Sequence, residues 1–164
     1  MEISDSRLGV INFEENAGTY NTFNAIAAKS SGYIIHRFDA DDIMNEGWLQ
    51  RVVSSFVLND DINLLYGKCL DFTEDMKEVI PQRGRDHIQS YTPDGPAAWR
   101  SSFFFEQIGG YDSYPCGADT DAKYRSNYLP GGEERVIDYV CLFRRISKQS
   151  LTRVLTKHNS PLRS

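Results

Sequence analysis

Long apolar runs are missing from this chain of 164 residues. A helix that crosses a bilayer needs about 20 consecutive apolar residues, and no stretch approaches that. The opening Met-Glu-Ile-Ser-Asp has neither the basic nor the apolar region of a signal peptide, so the expected setting is cytoplasmic. Cysteine is scarce: Cys69, Cys116 and Cys141 are odd in number and form no Cys-x-x-Cys pair, which argues against both a disulfide framework and a zinc site. His36, His87 and His158 are equally scattered. Excess positive charge is absent too. Eighteen Lys and Arg stand against 23 Asp and Glu, a net charge of -5 with a pI near 5.2, which excludes nucleic acid as a partner bound by overall electrostatics. Basic residues do collect late, where Arg135, Arg144, Arg145, Lys148, Arg153, Lys157 and Arg163 face only Asp138. Neither internal repeats nor low-complexity tracts occur. What is present is a core's worth of apolar residues, 40% of the chain with 12% aromatic, enough for one domain over 1–155 followed by a polar tail, 156–164, that is expected to fray.

Along the chain, elements alternate. Gly9 to Phe13 reads as a strand, and Thr19 to Ser31 as a helix with Tyr20, Phe23, Ile26 and Ala27 at helical spacing, stopped by a left-handed Gly32. Tyr33 to Phe38 is a second strand. Asn45 is placed to cap a helix carrying Trp48, Leu49, Val52, Val53 and Phe56, and Leu64-Leu65-Tyr66 is a third strand before Gly67. Thr73 to Pro96 has turn residues and little periodicity, an irregular excursion of a length often tied to function. Short helices follow over Ser101 to Ile108, ended by Gly109-Gly110, and Asp119 to Leu129, ended by Pro130-Gly131-Gly132, with a late strand from Arg135 to Phe143. Strand and helix alternating at this rhythm indicate an α/β layer around a mostly parallel sheet.

Ligands of open α/β sheets gather beyond the carboxyl ends of strands, and the apolar strand Tyr33 to Phe38 ends in Asp39-Ala40-Asp41-Asp42. In an extended segment Asp39 and Asp41 project to one side, and paired hard oxygens suit Mg²⁺ or Mn²⁺ completed by water and phosphate. The competing reading is a solvated loop with Asp41 or Asp42 capping the next helix. A second acidic cluster, Gly117-Ala118-Asp119-Thr120-Asp121, opens a helix. There Asp119 is favoured in its ionised form by the helix dipole and is a candidate general base, or an ordinary cap.

Taken in order, several segments resemble glycosyltransferase family 2 from about Gly9 to about Thr152. They are Glu15-Asn16-Ala17-Gly18 with Asn24-Ala25-Ile26; Ser31-Gly32-Tyr33-Ile34 leading into Phe38-Asp39-Ala40-Asp41-Asp42; Leu65-Tyr66-Gly67; Trp99-Arg100-Ser101; Ile108-Gly109-Gly110-Tyr111-Asp112; Gly117 to Asp121 with Arg125; and Arg145 with Ser150-Leu151-Thr152. The resemblance implies the nucleotide-diphospho-sugar (GT-A, Rossmann-like) fold and inverting, metal-dependent transfer of a sugar from a nucleotide-diphospho-sugar to a glycan or other hydroxyl acceptor, as in polysaccharide biosynthesis. It implies that Asp39 and Asp41 hold Mn²⁺ or Mg²⁺, with Asp41 the direct ligand, and that Asp119 takes the acceptor's proton. Trp99 and Arg100 would line the sugar pocket. Asn16, Gly18, Asn24, Asp42, Gly110 and Arg145 would contribute to donor or acceptor binding.

Three departures stand out. Ala118 replaces the Glu usual before the base, Ser147 occupies the position of a frequent late His, and the initial strand, turn and helix that grip the nucleotide base have no counterpart before Leu8. The fold is therefore expected to be incomplete at its N-terminus: the sequence is a fragment, or a homo-oligomer partner or companion chain supplies the missing unit, or the chain is a truncated relative that no longer transfers sugar, with peripheral membrane association allowed. An alternative is a degenerate domain that binds a glycan or partner protein without catalysis. Haloacid-dehalogenase phosphatases also open with a strand and Asp-x-Asp, but Ile43 and the lack of that family's lysine and Gly-Asp motifs weigh against them.

Overall fold

A computed structural model describes residues 5–81, 92 and 95–147. In chain order the elements are α1 (Thr19–Lys29), β1 (Ile34–His36), β2 (Ile43–Met44), α2 (Trp48–Leu58), β3 (Leu64–Phe72), β4 (Ala98–Arg100), a π-helical turn (Phe103–Ile108), α3 (Ala118–Asn127) and β5 (Glu134–Arg145). The strands form one curled sheet in the order β1-β4-β3-β5-β2.

The sheet is mixed, which qualifies the expectation of a mostly parallel one. Strands β3 and β5 pair in parallel over the longest register, from Leu64 opposite Glu134 to Phe72 opposite Arg145. The pairs β1–β4, β3–β4 and β2–β5 are antiparallel. Strands β1, β3 and β5 thus run one way, and β4 is inserted against the grain between β1 and β3. Two strands escape the sequence reading, β2 and β4. Each is too short for alternation to register, and β4 is Ala-Trp-Arg with an arginine at its end.

Other boundaries move for local reasons. Residues 9–13 form no strand; among the described residues nothing pairs with them, and Val10 is 77% exposed. Helix α1 stops at Lys29 because Ser30 turns extended, so Gly32 is not a left-handed cap. Helix α2 begins after a left-handed Gly47, while the side-chain Nδ2 of Asn45 donates to the carbonyl of Val140 across the sheet and the side chain does not cap the helix. The Gly109-Gly110 stop is as expected, both residues having positive φ. Strand β3 runs through Gly67 to Phe72, since a Cβ at Gly67 would lie 2.6 Å from Cys141 Cβ and 2.9 Å from the Trp48 ring. Glycine there marks a close approach of layers. Residues 82–91, 93 and 94 of the 73–96 excursion, Ser150-Leu151-Thr152 and the 156–164 tail lie outside the described residues.

Period-two alternation divides the sheet's side chains between two cores. Ile35, Leu64, Tyr66 and Trp99 pack with Tyr20, Phe104, Ile108, Tyr111, Ala118 and Ala122 beneath α1, the π-helical turn and α3. Leu65, Cys69, Ala98, Cys141 and Leu142 pack with Trp48, Val52 and Phe56 of α2. The result is three layers, helices over both faces of a sheet. Among the described residues no helix is long and apolar enough to cross a membrane.

Candidate functional site

Beyond β1 the alternation continues, and this builds the site. His36 turns to the α2 face, where its Nε2 accepts a hydrogen bond of 2.8 Å from the Trp48 indole. Arg37 turns to the opposite face, under α1 and α3. Its side chain is only 10% exposed, and a buried guanidinium needs anionic partners. It has two. Nε and Nη2 grip both oxygens of Asp39 at 3.1 and 2.9 Å, and Nη1 reaches Asp119 Oδ2 at 3.2 Å, 82 positions away along the chain. Burial opposes the guanidinium's charge, but Asp39 and Asp119 outweigh it and raise its pKa, so Arg37 stays protonated. Its guanidinium also lies over the Tyr20 ring, 5.2 Å from the centroid.

Asp119 is the most constrained carboxylate here, at 16% exposure. It is the second residue of α3, where the first amides of a helix have no carbonyl one turn back to donate to and take other acceptors. Oδ1 accepts from the Thr120 amide at 2.9 Å and from the Tyr20 hydroxyl at 3.0 Å; the Tyr20 oxygen in turn accepts from the Gly117 amide at 3.1 Å. Burial and the neighbouring Asp119 charge raise the Tyr20 pKa, which keeps the hydroxyl a donor. Oδ2 has the single 3.2 Å contact with Arg37 and faces Gly95, where a Cβ would lie 3.3 Å from Oδ2 and 3.7 Å from Arg37 Nη1.

Asp41 and Asp42 lie on the rim. Asp41 is exposed and Asp42 half-buried. Asp42 Oδ1 accepts from the Arg145 amide at 3.2 Å, which ties the acidic turn to the end of β5. Burial, with the charges of Asp41 and Asp39, pushes the Asp42 carboxyl up to about 6. Among the described residues no three His, Cys, Asp or Glu side chains form a ready metal cage.

Several expected binding residues have structural employment instead. Trp99 is fully buried and packs on Phe104 with ring centroids 5.4 Å apart, so it has no face for a sugar. Arg100 is 8% exposed and donates to Ile62 O, Asn63 Oδ1 and Asp60 O at 3.0 to 3.1 Å, which pins the turn before β3. Asn24 is held by Tyr111, donating to its carbonyl at 2.7 Å and accepting from its amide at 3.0 Å. It thereby fastens α1 to the Gly110 turn, where a Cβ would meet it at 3.1 Å. Asn16 Oδ1 accepts from the Gly18 amide at 2.9 Å, shaping the turn into α1. A shallow pocket of about 170 Å³ lies beside this turn, lined by Gly18, Tyr20, Asn21, Ser113 and Tyr114 among others. Arg145 is an exposed residue that closes β5.

The residue sequence reading missed is Arg37. Its signal was present: a lone arginine in an apolar strand, two positions after a core isoleucine and two before an aspartate.

Comparisons with known proteins agree with this architecture. Residues 1–107 match the sequence profile described as Glycosyl transferase family 2, a span that includes the Asp39 to Asp42 turn. The chain belongs to that family. A crystal structure of S. aureus TarS, residues 1–349 in complex with UDP, is similar in fold, with a TM-score of 0.59 at 14% identity. The match covers 80% of this chain and 41% of that one, so the chain spans less than half the length of that structure. No curated protein matches.

Proposed function

We propose that this domain transfers a sugar from a nucleotide-diphospho-sugar to a hydroxyl acceptor with inversion, and that Asp119 is its general base. The observation that carries this reading is the convergence of two acidic segments, distant in sequence, on the single buried guanidinium of Arg37. In such a displacement the acceptor oxygen bonds to the anomeric carbon as the bond from that carbon to the diphosphate oxygen breaks, and the leaving group departs with the electron pair. The hydroxyl proton goes to Asp119, then to solvent. A carboxylate fixed at both oxygens, with two donors on Oδ1 and one on Oδ2 among the described residues, suits that task.

The acidic turn fits a hard divalent cation in chemistry. Asp41 and Asp42 offer carboxylate oxygens; the Asp42 carboxyl is raised chiefly by burial and to a lesser extent by the charges of Asp41 and Asp39, and a cation would relieve that second contribution. Asp39, with both oxygens on Arg37, is the weaker candidate ligand. Bound Mn²⁺ or Mg²⁺ would offset charge developing on the departing diphosphate. The cytoplasmic setting belongs to the same proposal and is supported by Cys69, Cys116 and Cys141 forming no disulfide among the described residues. So do peripheral membrane association and a partner chain, either a second copy or a companion, completing the donor pocket.

The buried Trp99, the structural Arg100 and Ala118 favour a second reading, a degenerate domain that binds a glycan or protein without turnover. One experiment separates the two. The chain is incubated with Mn²⁺, a panel of nucleotide-diphospho-sugars and hydroxyl acceptors, with product configuration read by NMR. Inverted product supports transfer; glycan binding without Mn²⁺-dependent nucleotide binding or turnover supports the alternative.

A further inference from the structure

Proton acceptance requires one particular oxygen of Asp119 to be open, aimed and stationary. Oδ1 is not open, since the Thr120 amide and the Tyr20 hydroxyl both donate to it. Among the described residues Oδ2 has one donor, Arg37 Nη1, at the long distance of 3.2 Å, and a carboxylate oxygen has lone-pair capacity for a second. The space next to it is bounded by Gly95, the one residue type whose side chain would not fill it.

Arg37 is itself immobilised. The two-pronged grip on Asp39 fixes the guanidinium plane, and planarity then dictates where Nη1 points. Asp39 therefore acts on the base through Arg37.

We propose that Arg37 is a positioning residue for sugar transfer: anchored by Asp39, it holds Asp119 Oδ2 as the proton-accepting oxygen, and Gly95 keeps the approach to that oxygen clear. This rests on the transfer reading above and assigns roles to Arg37, Asp39 and Gly95 that differ from metal ligation and from packing. Arg37 touches neither donor nor acceptor in this role. Its effect is on the geometry of the proton-transfer step.

The test uses the full chain and four proteins, wild type, Arg37→Met, Arg37→Lys and Gly95→Ala, each measured for kcat, donor KM and Mn²⁺-dependent binding of a nucleoside diphosphate. Loss of aim lowers kcat by roughly 100-fold in Arg37→Met, while donor KM and nucleotide binding stay within about 3-fold of wild type. Arg37→Lys, which keeps the charge and protects against a failure to fold, cannot span both carboxylates, and recovers only part of kcat. Gly95→Ala lowers kcat or raises acceptor KM about 10-fold with nucleotide binding intact. If wild type transfers sugar and Arg37→Lys and Gly95→Ala match it in kcat and acceptor KM, the positioning role is wrong while the transfer reading stands. Equal losses in kcat and nucleotide binding would also overturn it, by showing a general structural role. If wild type transfers nothing from any donor, the transfer reading fails and this assignment fails with it.

Discussion

His36 and Arg37 are neighbours in the chain and face opposite sides of one sheet. His36 sits neutral against the α2 layer, its pKa pushed down to about 4 by burial. Arg37 sits charged under α1 and α3, held between two carboxylates. Both are largely buried, and the handling of charge separates them. On the α2 face His36 Nε2 and the Trp48 indole are matched as neutral partners, while the buried His36 Nδ1 has no hydrogen-bond partner among the described residues. On the other face a buried positive charge is retained and compensated by Asp39 and Asp119. The α2 side also buries a guanidinium, Arg100 over the Phe56 ring, but it donates to backbone carbonyls of the turn before β3. A buried guanidinium held between two carboxylates from distant segments is costly unless every partner is in place, so the face that carries it is the one on which chemistry is expected.

The largest expected effect breaks the comparison on its charged side. Asp119→Asn retains an oxygen for the Thr120 amide and Tyr20 hydroxyl but cannot accept a proton. Turnover should fall by roughly 10²- to 10⁴-fold with donor binding preserved, as read by single-turnover transfer and nucleotide titration. Near-normal transfer would remove Asp119 as the base. A smaller loss is expected at the rim: Asp41→Ala should weaken Mn²⁺-dependent nucleotide diphosphate binding by about 10-fold or more, measured calorimetrically, without lowering the apo thermal midpoint. Unchanged affinity would place the cation elsewhere or nowhere.

The acidic turn and Asp119 were legible in sequence because strand ends and helix starts are local signals, and both motifs sit at such points. Their mutual arrangement was not, because it runs through Arg37, whose partner lies 82 positions away. Trp99 and Arg100 misled for the same reason. A Trp-Arg pair invites a sugar-stacking reading, but β4 is inserted between β1 and β3, and a central strand buries both its neighbours' faces and its own. Helices α1 and α2 were readable from periodicity, and α3 from its end signals, to within a few residues. The antiparallel insertion of β4 was not, since three residues hold too little pattern to state a direction.

The α2 face is tested by packing. Gly67→Ala would drive a methyl to 2.6 Å from Cys141 Cβ and 2.9 Å from the Trp48 ring, neither of which is the loose end of a flexible chain. A loss of about 1–3 kcal/mol is expected from overpacking, seen as a lower urea midpoint with an unchanged m-value. Because Gly67 serves the α2 core, nucleotide binding by the folded variant should be unaltered. A variant that is fully stable yet loses binding would show that the two faces are not separate in function.

The smallest effect concerns His36 and sharpens the comparison by pH. In the unfolded chain an imidazole takes up its proton near 6.5, whereas in the folded protein burial delays this to about 4. Between those values the unfolded state binds more protons than the folded one. The contribution of His36 to stability must therefore fall as pH drops from about 6.5 through about 4, with a slope of up to about 1.4 kcal/mol per pH unit, while the raised Asp42 carboxyl works in the opposite sense in both proteins and cancels in their difference. Above pH 6.5 both states are neutral and His36 contributes no pH dependence. His36→Gln supplies a side-chain oxygen for the Trp48 indole but cannot titrate, so its urea midpoints at pH 7.0 and 5.0 should differ less than those of wild type. Arg37 stays charged throughout this range and gives no such signature, so the difference between the two proteins isolates the α2 face. Parallel pH profiles for wild type and His36→Gln would mean that the imidazole is protonated in the folded state as readily as in the unfolded one, and the description of that face as a neutral core would have to be abandoned.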